Sequence, residues 1–279
     1  MKETYFDPKP TKYPFPKDTS KHYIKIEEKY KINFDDKYPY IDKRKSFVFK
    51  QKFILFLLRT LAMPLSRIRL GLKIKGRKNI KENKELIKKG IISCSNHVHF
   101  WDYISILDGI RPYKPYYLVW DKNIRDKKNS KIIRLTKGIP IPDNIYGTKK
   151  FISVINDYLK NGGFLHIYPE GSMWEFYAPI RPLKRGIAHF AIVNDKPILP
   201  MAYSYRKPNW IRRHIFRQLA CFTLNIGKPI FVNKELKEEL QEDDLLTRCH
   251  KEMCILANID PNKNIYGPIY NNSTRVDYY

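Results

Sequence analysis

His97 and Asp102 stand five residues apart in the run Ser95-Asn96-His97-Val98-His99-Phe100-Trp101-Asp102. A carboxylate that accepts the Nδ1 proton of an imidazole fixes its tautomer, stabilises the imidazolium and leaves Nε2 to take a proton from an alcohol. On an α-helix a spacing of five puts two side chains about 140° apart. The pair therefore meets only across a turn that precedes a helix starting near Asp102. His99 is the rival base, because alternation along an extended segment places it on the side of His97. No equally spaced carboxylate follows His99.

A second group is Tyr168-Pro169-Glu170-Gly171-Ser172, followed by Met173 and Trp174. Glu170 offers an acceptor for substrate hydroxyls, and the Gly171 amide could approach an oxyanion. The same residues also read as a plain Pro-Glu-Gly turn. A third group, Arg181-Pro182-Leu183-Lys184-Arg185-Gly186, places cations before a helix, an arrangement suited to a phosphate head group or simply a solvated charge run. Cys94, Cys221, Cys249 and Cys254 show no metal-ligand spacing and read as reduced core residues, so no metal is expected.

The elements that must position these groups follow from hydropathy. Strands are expected at Gly90–Ser95, Tyr116–Trp120, Phe164–Tyr168, Ile198–Tyr205 and Phe222–Ile226, with helices at Tyr103–Gly109, Tyr146–Asn161, Gly186–Val193 and Leu236–Ala257. Strands alternating with helices predict an α/β fold, a mostly parallel central sheet flanked by helices. All three chemical groups then fall at strand ends, where such folds place their sites. Residues 1–46, rich in Pro, Tyr, Lys and Asp, read as an irregular arm, and residues 47–279 as one α/β domain.

The chain has 279 residues, 43% of them apolar, with 53 Lys+Arg against 28 Asp+Glu and a net charge of +25. Such a field draws polyanions, either nucleic acid or an anionic membrane leaflet. Residues 1–16 lack the apolar core of a secretory signal, and no apolar run reaches the roughly 18–20 residues that span a bilayer. The most apolar stretch, Phe53–Leu65, is flanked by lysines and arginines. A helix near 50–66 can lie in the headgroup plane as a membrane-contact segment, or dock on the core like any other helix. If it is interfacial, glutamates at Leu57 and Leu58 should weaken liposome binding.

Asn96, His97 and Asp102 match an N-H-x-x-x-x-D block, and Tyr168 to Ser172, about seventy residues later, match (F/Y)-P-E-G-(T/S). Lys184 and Gly186 match a K-x-G step, and Pro197, Ile198 and Pro200 a P-(I/V)-x-P step. In this order the blocks resemble the glycerolipid acyltransferase family typified by 1-acylglycerol-3-phosphate acyltransferases, over roughly Phe53 to Ile230.

The resemblance implies an O-acyltransferase in which His97 is the general base, oriented by Asp102, and Glu170 helps hold the acceptor. The acyl group would pass directly from acyl-CoA or acyl carrier protein to a lysophospholipid or 1-acylglycerol-3-phosphate, without a cofactor. Gly171 would donate to the oxyanion, and Asn96, Ser172, Arg181, Lys184 and Arg185 would line the substrate site. Expected partners are anionic membrane lipids, the lysolipid acceptor and acyl carrier protein, with no nucleic acid, and the expected place is the cytoplasmic face of the membrane, peripherally. Two departures bear on the acceptor. Met173 stands where family members acting on a glycerol phosphate carry arginine, and residues 138–144 contain no arginine. The competing reading is a nonenzymatic basic protein that binds membrane or nucleic acid; it leaves the ordered blocks unexplained.

Overall fold

The computed structural model describes residues 4–8 and 19–270. Apart from residues 4–8, the segment 1–16 read above as carrying no secretory signal lies outside the described residues. The strands are β1 (Lys73–Lys75), β2 (Ile91–Cys94), β3 (Tyr116–Trp120), β4 (Gly138–Ile141), β5 (Phe164–Ile167), β6 (Ile198–Arg206) and β7 (Cys221–Ile226). They form one sheet in the order β1-β7-β6-β2-β5-β3-β4. The strands from β6 to β4 run parallel, while β7 is antiparallel to β6 and parallel to β1.

The helices are α1 (Lys45–Leu57), α2 (Met63–Leu70), α3 (Arg77–Glu82), α4 (Lys84–Lys88), α5 (Asp102–Gly109), α6 (Asp121–Arg125), α7 (Ser130–Leu135), α8 (Ile145–Lys160), α9 (Gly186–Asn194), α10 (Trp210–His214) and α11 (Glu238–Leu256). They cover both faces of the sheet, so β2 and β5 are buried along their whole lengths and read as unbroken apolar runs. Side-chain alternation divides each strand between two cores. Ile92, Leu165, Ile198 and Ala202 pack with Ile155, Leu159, Ile187, Leu246 and Met253 from α8, α9 and α11. Ile91, Phe164, Leu199 and Met201 face the other way, toward Ile80, Ile87 and Ile106 from α3, α4 and α5. The four cysteine thiols are free and buried.

The five expected strands are present to within a residue or two. The two unexpected ones, β1 and β4, are the edges of the sheet. β1 is three residues long with lysine at both ends, and β4 contains Gly138 and Pro140. Proline lacks a ladder donor and is confined to edges, and short charged strands blunt edges against pairing with other chains. Both read poorly as strands for that reason.

The arm is tied down by its aromatics. Phe34 and Tyr40 are buried, and the Tyr40 hydroxyl reaches the carbonyls of Phe34 (3.1 Å) and Gly147 (3.2 Å). The backbones approach so closely here that a Cβ on Gly147 would stand 1.7 Å from the Phe34 oxygen. The apolar stretch Phe53–Leu65 is part of α1, a π-helical turn at Leu58–Ala62 and the start of α2. Pro64 supplies no amide to the preceding turn, and the ladder shifts register just ahead of it. α1 buries only Gln51 and Leu55. Phe49, Phe53 and Phe56 point into solvent, the reverse of an ordinary docked helix. No helix among the described residues is long and apolar enough to cross a membrane.

Candidate active site

β2 ends at Cys94, and the chain turns through residues 95–101 before α5 begins at Asp102. That turn brings His97 Nδ1 to 3.0 Å from Asp102 Oδ2. The same oxygen accepts from the amides of Val98 (2.7 Å) and His99 (3.0 Å), so the carboxylate at the first helical residue also shapes the loop that carries the histidine. Asp102 is buried, whereas the His97 side chain is 27% exposed. With the Nδ1 proton donated to Asp102, Nε2 carries the lone pair on the open side. The ring lies flat on Tyr168, centroids 4.0 Å apart and planes at 17°, which fixes its orientation from a second direction.

His99 is differently placed. Its Nδ1 accepts from the Trp101 amide at 3.1 Å, which puts the proton of the neutral ring on Nε2 and leaves no basic nitrogen outward. The ring packs among Phe100, Phe176 and Phe222, and burial lowers its pKa. Of the two histidines, His97 alone has the tautomer of an outward-facing base.

The Tyr168–Ser172 turn follows β5, next to β2, and so comes beside His97. Glu170 is buried; Oε2 accepts from the His97 amide at 3.1 Å and from Arg181 Nη2 at 2.8 Å, and Oε1 accepts from the Arg181 amide at 2.9 Å. Arg181, equally buried, also donates to Thr19 O (2.9 Å), to Ser172 Oγ (2.8 Å) and to Ser172 O. Trp174 and Phe176 donate their amides to His97 O and Val98 O, both at 3.0 Å, which ties this loop to the histidine loop. Glu170 and Arg181 form an internal brace between the two loops, and neither presents a free group to a substrate in this arrangement.

Other expected substrate residues are also turned inward. Asn96 is buried and its Oδ1 accepts from the Tyr203 amide at 2.8 Å, tying the histidine loop to β6. Ser172 is buried against Arg181. The Gly171 amide, expected as an oxyanion donor, closes the turn onto Tyr168 O at 3.0 Å. Gly171 itself has φ +80°, and a Cβ there would meet Lys184 Cε at 2.7 Å. The Lys184 side chain thus lies over the turn, with its ammonium 5.1 Å from the centroid of the Tyr270 ring. Arg185 points away, to Glu242 (2.9 Å) and Asp243 (2.7 Å) of α11.

Several contacts at the site carried no signal in the sequence. Tyr168 supports the His97 ring; as a residue it matched a block, but its stacking depends on two loops meeting. The arm crosses the same region: Lys21 O accepts from Trp174 Nε1 at 2.8 Å, and His22 stacks on Trp120 at the end of β3, 4.0 Å between centroids. Met173, at the position where arginine was expected, is buried.

A histidine whose Nδ1 is held by a carboxylate, in a loop at the end of a parallel strand, can take a proton from a hydroxyl. Residues 71–204 match the family profile described as Acyltransferase. The 1-acyl-sn-glycerol-3-phosphate acyltransferase of Bacillus subtilis (strain 168) is 25% identical over 177 residues, 62% of this chain and 82% of that one. Among solved structures, the 1-acyl-sn-glycerophosphate (LPA) acyltransferase PlsC from Thermotoga maritima aligns with a TM-score of 0.48 and 18% identity, covering 77% of this chain and 84% of that one. The chain is an acyltransferase, matched to that profile over residues 71–204, and is similar to the glycerolipid acyltransferases.

Proposed function

We propose that the chain moves a fatty acyl group from acyl-CoA or acyl carrier protein to the hydroxyl of a lysophospholipid or 1-acylglycerol-3-phosphate, on the cytoplasmic surface of an anionic membrane. The observation that carries this reading is the His97 ring: Nδ1 lies 3.0 Å from Asp102 Oδ2, and the side chain is 27% exposed. Nε2 takes the proton of the acceptor hydroxyl as its oxygen attacks the thioester carbonyl. The tetrahedral intermediate collapses with release of the thiolate, which recovers the proton from the imidazolium, and no acyl-enzyme forms. Asp102 stabilises the imidazolium throughout. Lys184, which lies over the Gly171 turn, meets the acceptor head group or the developing oxyanion, while Glu170 and Arg181 hold the two loops in register. The reading needs no metal and no bound cofactor; the thioester carrier is a co-substrate. The match to the Bacillus enzyme supports a glycerol phosphate acceptor, and Met173 in place of arginine favours extending the search to lysophospholipids with larger head groups.

The test is acyl transfer from radiolabelled acyl-CoA and acyl carrier protein to a panel of lysolipids, with wild type and His97→Ala side by side. Labelled product with one acceptor, reduced at least about 10²-fold in the variant, is the expected result. Product formation untouched by His97→Ala would sink the general-base assignment.

A further inference from the structure

The β6–β7 connection, residues 207–220, has no part in the chemistry above, yet it is the most conspicuous apolar segment outside α1 and α2. Trp210, Ile211, Ile215, Phe216 and Leu219 are each more than half exposed. Lys207, Arg212, Arg213 and Arg217 are interspersed with them, and the segment contains no Asp or Glu. It is held firmly: Arg212 Nη1 donates to Ile68 O at 2.8 Å and to Gln218 Oε1 at 3.0 Å, and Gln218 donates to Arg69 O. These bonds fasten it to α2, where Leu65 and Ile68 are also exposed and residues 58–71 again lack any acid. Between the two elements lies a cleft of about 350 Å³ walled by Leu65, Ile68, Ile211 and Phe216, with Arg69 and Arg212 at its sides.

Topology fixes where this surface sits. β6 runs parallel to β2, so its last residue, Arg206, is at the same end of the sheet as the His97 loop. β7 is antiparallel to β6 and β1 parallel to β7, so the starts of both, and the end of α2 just before β1, share that end. The apolar, cationic surface therefore flanks the face on which the histidine opens.

We propose that the 207–220 connection and α2 together form a docking surface for a bilayer containing anionic lipid. Trp210, Ile215, Leu65 and Ile68 enter the boundary between headgroups and acyl chains, and Arg69, Arg213 and Arg217 lie at the level of the phosphates. A second copy of this chain is disfavoured as the occupant, because it would bring another +25 against an all-cationic patch. Nucleic acid would meet the arginines and leave the exposed isoleucines without a partner. The inference builds on the membrane setting proposed above and adds a second element far along the chain from the 50–66 segment.

The test uses the full chain and vesicles of phosphatidylcholine with or without phosphatidylglycerol. The Trp210 contribution to emission, isolated by difference from Trp210→Phe, should shift to the blue on anionic vesicles only. Ile211→Glu with Ile215→Glu, and separately Arg213→Glu with Arg217→Glu, should each weaken cosedimentation at least about tenfold, with unchanged circular dichroism. An unshifted Trp210 signal on vesicles that do bind the chain would overturn the proposal. So would retained binding in both double variants, or wild-type self-association or capture of an acidic carrier protein in place of vesicle binding. Transfer between detergent-dispersed substrates should be unchanged in these variants; its loss in His97→Ala alone concerns the chemistry and not this surface.

Discussion

At His97 every contact has a direction: Asp102 takes one nitrogen, Tyr168 supports the ring plane, and Glu170 and Trp174 hold the backbone on either side of the peptide unit. Glu170 is the most consequential of these because its partner Arg181 is as buried as it is, with side chains 1% exposed. Glu170→Gln keeps the shape but strands the guanidinium, and removing one member of a buried pair costs about 3–5 kcal/mol. Urea titration should show that loss, and adding Arg181→Met should restore part of it, since the two changes remove one shared interaction. Additive losses would mean that the pair is not coupled. Buried histidines set a second residue-level property. Burial pushes His250 down to about 4 and His166 down to about 3 from an ordinary 6.5. Both are neutral in the folded chain, whereas the unfolded chain takes up their protons below about 6.5. Between about 6.5 and 4 the unfolded state therefore binds more protons, and stability falls as pH falls through that window. His250→Gln, which keeps a donor for Ile180 O, should shrink the difference in urea midpoint between pH 7 and pH 4.5. An equal difference in wild type and variant would contradict this.

At the scale of elements, what the sequence disclosed depended on how completely each segment is buried. β2, β3, β5, β6 and β7, and the helices α5, α8, α9 and α11, are long or apolar enough for periodicity to report them. The edge strands and the five- and six-residue helices α3, α4, α6, α7 and α10 take their shape from neighbours and have no period of their own. In α11 Leu246, Cys249 and Met253 are buried, whereas Leu240 near its start is 52% exposed. The site divides in the same way. Residue types and spacing carried the His97–Asp102 pair, because a turn before a helix has few geometries. They did not carry the inward commitments of Asn96, Ser172, Gly171 and Arg181, or the outward one of Arg185 toward α11, since those depend on which loop lies across which strand end. A cation beside a helix start looks the same in sequence whether it meets a phosphate, a buried glutamate or a surface aspartate.

On α1, α2 and the 207–220 connection, cationic and exposed apolar side chains stand together, and α1 is where they can be separated experimentally. Leu57 and Leu58 are unsuitable probes of that helix, because both are partly buried and Leu58 packs against the core cluster of Leu55 and Met63. A glutamate at Leu58 would disturb folding and binding at once. Phe53 and Phe56 are 53% and 59% exposed, so Phe53→Glu with Phe56→Glu removes apolar surface from the solvent side alone. Burying one such side chain in an apolar medium is worth about 1.5–3 kcal/mol, and each added anion is repelled by an anionic leaflet. The double variant should therefore partition onto phosphatidylglycerol-containing vesicles at least about tenfold more weakly than wild type, with its thermal midpoint little changed. Raising ionic strength should weaken what binding remains for both proteins, since surface attraction is screened over about 10 Å at 0.1 M salt. Binding that ignores the two glutamates but still responds to salt would mean that lysines and arginines hold the chain at the surface and α1 stays in water.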